Sequence, residues 1–146
     1  MAITQAIANS FKKELLEGEH NFKSSGGDKF KIALYTSSAT LNSATTAFTA
    51  TGEVSNTGQY TCGGGALTNS GTSITAGVAR VDFADRSFTG VTLTARGALI
   101  YNTSATATNA AVCALDFGAD KTATAGVFTI QFPAATSTAA ILRISG

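Results

Sequence analysis

Residues 87–102 read SFTGVTLTARGALIYN, and their alternation decides the fold. Val91, Leu93, Ala95, Gly97, Leu99 and Tyr101 share one parity, while Thr92, Thr94 and Arg96 hold the other. A period of two sustained this long is a β-strand with one face buried. Three further extended runs follow, AAVCALDF (110–117), GVFTIQF (126–132) and AAILRIS (139–145). The segments between them, NTSATATN, GADKTATA and PAATST, are short, small and polar, which suits hairpin-scale connections. Upstream, the core resumes with SITAGVARVDFAD (73–85), and FKIALY (30–35) alternates as a half-buried strand requires. Between them, residues 37–73 are mostly Thr, Ser, Ala, Asn and Gly, with short strands placed only near Phe48–Val54 and Gln59–Thr61.

Helical periodicity is confined to the first segment. Ile3, Ile7, Phe11 and Leu15 recur every four residues, which predicts a helix over Gln5–Glu17 with Thr4 as N-cap and Gly18 as left-handed terminator. Its stripe is too narrow and too weakly basic for a membrane-surface helix, so it packs on the sheet or on a neighbouring subunit. One helix followed by about seven to nine strands without intervening helices excludes a parallel sheet. The expected fold is mainly β, an antiparallel β-sandwich of jelly-roll or Ig-like type with one N-terminal α-helix. Residues 1–22 form the helix or arm and 23–146 a single sandwich unit.

Composition narrows the function. The chain has 146 residues, of which Ala (26), Thr (23), Gly (15) and Ser (13) make up just over half. Charged residues reach only 13% while hydrophobic ones reach 44%, too many for a disordered chain. A net charge of +1 argues against nucleic acid or anionic lipid as a partner. No apolar run approaches the ~20 residues of a membrane span, and MAITQ is too polar for a secretory signal. Thr holds the extended backbone while staying polar and uncharged, so exposed strand edges carry few charges to discourage pairing with another chain.

Chemistry-bearing residues are sparse. His20 has only Glu17 and Glu19 close by, too few strong ligands for zinc, and no GxSxG nucleophile elbow occurs. The ordinary reading of His20 is a loop or interface residue. CGGGAL (62–67) lacks the Lys and Ser/Thr of a phosphate-binding loop, leaving a mobile loop or a close approach of backbones. Asp82, Asp85, Asp116 and Asp120 lie in two similar phrases, DFADRSFTG and DFGADKTATAG, which read as strand-to-turn exits. Their spacing is not that of a calcium loop. Arg96, alone in an uncharged strand, pairs with one of these acids or reaches an interface. Cys113 has the parity of a buried thiol and Cys62 sits in the glycine loop; free thiols, an internal bridge and intersubunit cross-links all fit two cysteines. Asn102-Thr103-Ser104 matches a glycosylation acceptor but is read as a surface loop only. No catalytic residue, cofactor or metal is expected, and the candidate interface residues are Ile3, Ile7, Phe11, Leu15 and Arg96.

Several phrases together resemble a family of small tailed-bacteriophage virion proteins. They are MAITQAIANSFKKELLEG with HNF, then DKFKIALYTSSATLNSATTAFTATGEVS, VTLTARGALIYN, and ALDFGADKTATAGVFTIQFPAATSTAAILRI. FKIALYTSSA, TARGALIYN and LDFGADKT are the most specific parts, and residues 58–81 the least. The resemblance brings no catalytic residue. It implies a structural component of the particle, located in the virion and assembled in the host cytoplasm. The partners it implies are copies of the chain itself, with a trimer favoured, and the major capsid protein. A head decoration or minor capsid (cement) protein is the leading expectation, and a neck, collar or tail component the alternative. A carbohydrate-binding host-recognition module ranks lower, because sugar platforms need exposed aromatics and the chain has three Tyr and no Trp.

Overall fold

The computed structural model describes residues 2–133 and 140–145. The 87–102 strand extends by one residue to β6 (Arg86–Asn102) and lies against the longest strand, β7 (Ala110–Ile130). These two form the spine of a five-stranded sheet in the order β1-β7-β6-β2-β3, with β1 Ala6–Ile7, β2 Phe30–Tyr35 and β3 Gly65–Ala66. A second sheet runs β4-β5-β8, from β4 (Asn69–Thr75), β5 (Val78–Phe83) and β8 (Leu142–Ile144). Every ladder between named strands is antiparallel. Ala76 and Gly77, with φ of 51° and 77°, make the tight β4–β5 turn; positive φ at both positions matches the right-handed strand twist. The architecture is an antiparallel β-sandwich with one helix.

One core joins the two sheets. Ile32, Leu34, Val91, Leu99 and Ile100 from the large sheet share it with Val81, Phe83 and Leu142 from the small one. Aromatic rings bridge the layers: Phe22 stacks on Phe30 at 4.6 Å, and Phe83 meets Phe30 edge-on at 5.6 Å. Burying each such side chain stabilises the fold by roughly 1.5–3 kcal/mol. The alternation in β6 holds from Val91 to Arg96. Beyond it Ala98, Ile100 and Asn102 are buried as well as Leu99 and Tyr101, so that end of the sheet is covered on both faces. β2 is likewise buried almost throughout, not half-buried as its alternation implied.

Further expectations are corrected. The helix, α1, spans only Asn9–Leu16, with Ala8 at the N-cap position and no side-chain cap. Residues 6–7 form β1 on β7, and Ala8 N–H donates to Val112 C=O at 3.0 Å. Backbone groups committed to a strand edge cannot also open a helix, so tertiary pairing overrides local propensity. Gly18 does take the left-handed conformation, φ 76°. GADKTATA is not a connection either: β7 runs through it. Residues 117–120 bulge opposite Arg96, between the pairs Ala95–Lys121 and Gly97–Asp116.

The short strands expected at 48–54 and 59–61 are isolated bridges, Tyr35–Glu53, Ala47–Ala110 and Thr57–Tyr60. The long loop of residues 39–58 is folded back onto the body of the chain. Leu41 pairs with Ile3, Phe48 N–H donates to Asn109 C=O, and Ala39 and Leu41 are fully buried. In the glycine run, a Cβ on Gly64 (φ 87°) would lie 1.9 Å from the Ile32 carbonyl oxygen. Close backbone approach is therefore what CGGGAL provides. PAATST lies outside the described residues apart from Pro133.

Candidate interaction groove

A groove of about 870 Å³ lies between α1 and strands β5 and β8. Phe11 and Leu15 come from the apolar side of α1, Val81 from β5 and Leu142 from β8. In register, Val81 faces Leu142 and Ala79 faces Ile144, one inward row of the sheet. Covering is complete at Phe11 (3% exposed) and fails outward: Leu16 is 91% exposed, Ile144 60% and Ile7 36%. Leu16 is the last residue of α1, and its large apolar side chain stands in water.

Charge around the groove has one sign. Lys12, Lys23, Arg80 and Arg143 line it, and no carboxylate does so among the described residues. Arg80 and Arg143 are directly opposite across the β5–β8 ladder. Arg80 Nε and Nη1 are shut off from solvent without a hydrogen-bond partner among the described residues.

A buried polar chain lies behind the groove wall. His20 is buried, with its ring between Phe11 and Phe22 at 4.7 and 6.4 Å. Asn102 Nδ2 donates to His20 Nδ1 at 2.9 Å and to Asp28 Oδ2 at 2.7 Å. With Nδ1 accepting, the ring proton sits on Nε2 and is donated to Glu14 Oε1 at 2.9 Å. Asn102 Oδ1 accepts from the N–H groups of Ser104 and Ala105 and folds the turn after β6. The expectation of an ordinary loop or interface histidine gives way to a packed one. Asn102 is fully buried as the last residue of β6, so the expectation of a surface loop fails at that residue.

A second cluster, around Glu53, fastens the 36–64 excursion. Glu53 Oε2 accepts from Tyr60 OH at 2.7 Å and from Gly63 N–H at 2.6 Å, and Tyr101 OH donates to the Gly63 carbonyl. Burial raises the phenols of Tyr35, Tyr60 and Tyr101 above the ordinary range, and the nearby Glu53 raises them further. Such phenols are inert donors near neutral pH. The cluster holds loops together.

The sequence-derived candidates separate in space. Ile7, Phe11 and Leu15 line the groove, whereas Ile3 belongs to the chain's own core, 7% exposed. Arg96 is on the bulged ribbon, its Nε donating to Asp116 Oδ1 at 3.2 Å. The Asp116 carboxyl is held below its usual range, first by the Gly118 N–H and then by Arg96. Phe83 enters the core, and Phe117 packs against it half-buried. Both thiols are free, Cys62 exposed and Cys113 buried. Burial pushes the Cys113 thiol up to about 12. Among the described residues no cluster of potential metal ligands occurs, and no helix is long and apolar enough to cross a membrane. Arg80, Arg143 and the Asn102 network were not anticipated. Comparison with protein-family models, curated proteins and solved structures returned no match.

Proposed function

We propose that this chain is a non-enzymatic structural protein of a tailed-bacteriophage particle, one that decorates or cements the head. The groove carries the reading. A folded chain that keeps Leu16 91% exposed beside Ile144 and Ile7 has an apolar surface that association would cover. The uncharged edge strand β4, NSGTSIT, adds a second surface without the Lys guards of a solitary sheet. The resemblance of FKIALYTSSA, TARGALIYN and LDFGADKT to phage virion proteins supplies the particle. The partners are copies of the chain, arranged as trimers on capsid lattice positions, and the major capsid protein. Many modest contacts of this kind hold a lattice through multivalency.

Quantitative mass spectrometry of purified particles tests the proposal. A decoration protein is present at on the order of hundreds of copies per particle, following the head lattice. About six or about twelve copies would move it to the neck or tail. Absence from purified particles would overturn the structural reading itself.

A further inference from the structure

We infer that β4 pairs edge to edge with β4 of a second copy, antiparallel about a two-fold axis at Ser73, so that two three-stranded sheets become one of six strands. The inference deepens the reading of this edge as an assembly surface and rests on it. Backbone geometry, side-chain rows and contact size each lead to this occupant.

The backbone argument starts at the hairpin. Ala76 and Gly77 form a two-residue turn, so the flanking pair Thr75–Val78 is hydrogen-bonded in both directions. Every second pair repeats this, which gives Ser73–Arg80 and Gly71–Asp82. Thr72 and Ile74 therefore direct their N–H and C=O groups away from β5. β4 is the outer strand of its sheet, the chain is described without a gap from Thr68 to Val78, and nothing among the described residues bonds to those groups. Every residue from Thr72 to Gly77 is exposed. The start of the strand is flanked instead, since Asn69 Nδ2 donates to the Phe22 carbonyl and Gly71 approaches Ser24. The open length is thus Thr72–Thr75. A two-fold at Ser73 uses both outward residues: Thr72 meets the second copy's Ile74, Ile74 meets its Thr72, and Ser73 meets its Ser73. A stretch that matches its own image in this way is suited to an isologous contact.

The side chains agree with that register. Ile74 lies opposite Ala79, and Ala79 opposite Ile144; Thr72, Val81 and Leu142 form the neighbouring row on the same face. Ile74 is 72% exposed, the highest value among the large apolar residues of the strands. In the paired sheet the rows join end to end, with Ile144, Ala79 and Ile74 of one copy running into Thr72, Val81 and Leu142 of the other. Ile74 then packs on a threonine methyl instead of standing in water. β4 carries no charge that would repel its own image. The two Arg80 residues stay three strand spacings apart, roughly 14 Å, beyond the screening length at physiological salt.

Size selects a second copy over a free partner. Four residues a side bury far less than the roughly 1,000 Å² of a stable interface. Such a contact holds only where other bonds already keep the partner close. Copies of this chain, seated side by side on a particle, meet that condition. The two-fold contact also links one trimer to the next, which threefold contacts do not.

Cross-linking of the full chain tests this, in a Cys62→Ser background that removes the exposed native thiol. Ser73 faces its image as a non-hydrogen-bonded pair, with Cα atoms about 4.5 Å apart and within disulfide reach. Ser73→Cys, oxidised gently in assembled particles, gives at least about tenfold more disulfide dimer than Thr75→Cys, whose two copies lie about 13 Å apart along the strands. Amide exchange in particles slows at Thr72 and Ile74, while Ser73 and Thr75 are already held by β5. Equal cross-linking of the two variants, a Ser73→Cys adduct with a different protein, or unchanged exchange at Thr72 and Ile74 would overturn the inference. A copy number on the order of hundreds without the Ser73→Cys dimer removes the inference and leaves the proposed function standing. A selective Ser73→Cys dimer at about millimolar chain, from a protein absent from particles, leaves the inference intact and removes the function.

Discussion

Asn102 Nδ2 donates to His20 Nδ1 at 2.9 Å across 82 positions of sequence, tying the turn after α1 to the end of β6. The same amide group reaches Asp28, and its oxygen holds the turn at Ser104 and Ala105. Every polar capacity of that side chain is used. Replacing Asn102 with Leu strands several buried partners at once. The expected cost is about 1–3 kcal/mol per group left unmet, read as a lower urea midpoint with an unchanged slope. A midpoint equal to wild type would show that the network contributes nothing.

Alkaline pH is expected to weaken the fold. Tyr35, Tyr60 and Tyr101 have phenols raised by burial first and by Glu53 after it. In the unfolded chain they release protons near pH ~10, while in the folded chain they retain them. The unfolded state thus binds fewer protons above that pH, and stability falls as pH rises. Below pH ~10 the contribution is complete. Melting temperatures followed from about pH 8 to about pH 11 will decline steeply at the upper end, and Tyr60→Phe will decline less steeply. A flat profile would refute the assignment.

Thiol labelling separates the two cysteines. The buried Cys113 is pushed up to about 12, and Cys62 is exposed. Thiolate is the reactive form, so iodoacetamide modifies Cys62 in the native protein and Cys113 only after unfolding. Equal native labelling at both positions, read by peptide mass spectrometry, would contradict the placement of Cys113. Any cross-link between copies then runs through Cys62.

Gly64 is where the glycine run is indispensable. Its φ of 87° is strained for any other residue, and an added Cβ would strike the Ile32 carbonyl. Gly64→Ala is expected to cost about 1–3 kcal/mol from backbone strain, with the steric clash added to it. Calorimetry showing an unshifted melting point would argue against the β2–β3 packing described above.

Strand readings based on alternation survived where one face meets water, as between Val91 and Arg96. They were less complete where the sheet is covered on both sides, because Ala98 and Ile100 are buried for reasons that come from distant layers. The helix start shifted to Asn9 because the pairing of Ala6 and Ile7 with β7 is non-local. β7 was read as two strands since GADKTATA has the composition of a turn, yet the bulge at residues 117–120 keeps those residues within one ladder. Half of the groove was visible as the Phe11 and Leu15 stripe. Its other half, Arg80 and Arg143, joins only through the β5–β8 ladder, and a lone basic residue in a short strand gives no local sign of such a partner. His20 and Asn102 were each legible as polar residues in loops, and only their spatial meeting makes them a buried pair.

Hydrogen–deuterium exchange, compared between the free protein and the protein in purified particles, tests the central claim most directly. Residues 12–18 and 142–145 are expected to exchange more slowly in the particle, since the groove would then be covered. Unchanged exchange across both stretches, with protection confined to other surfaces, would contradict the groove as the assembly contact.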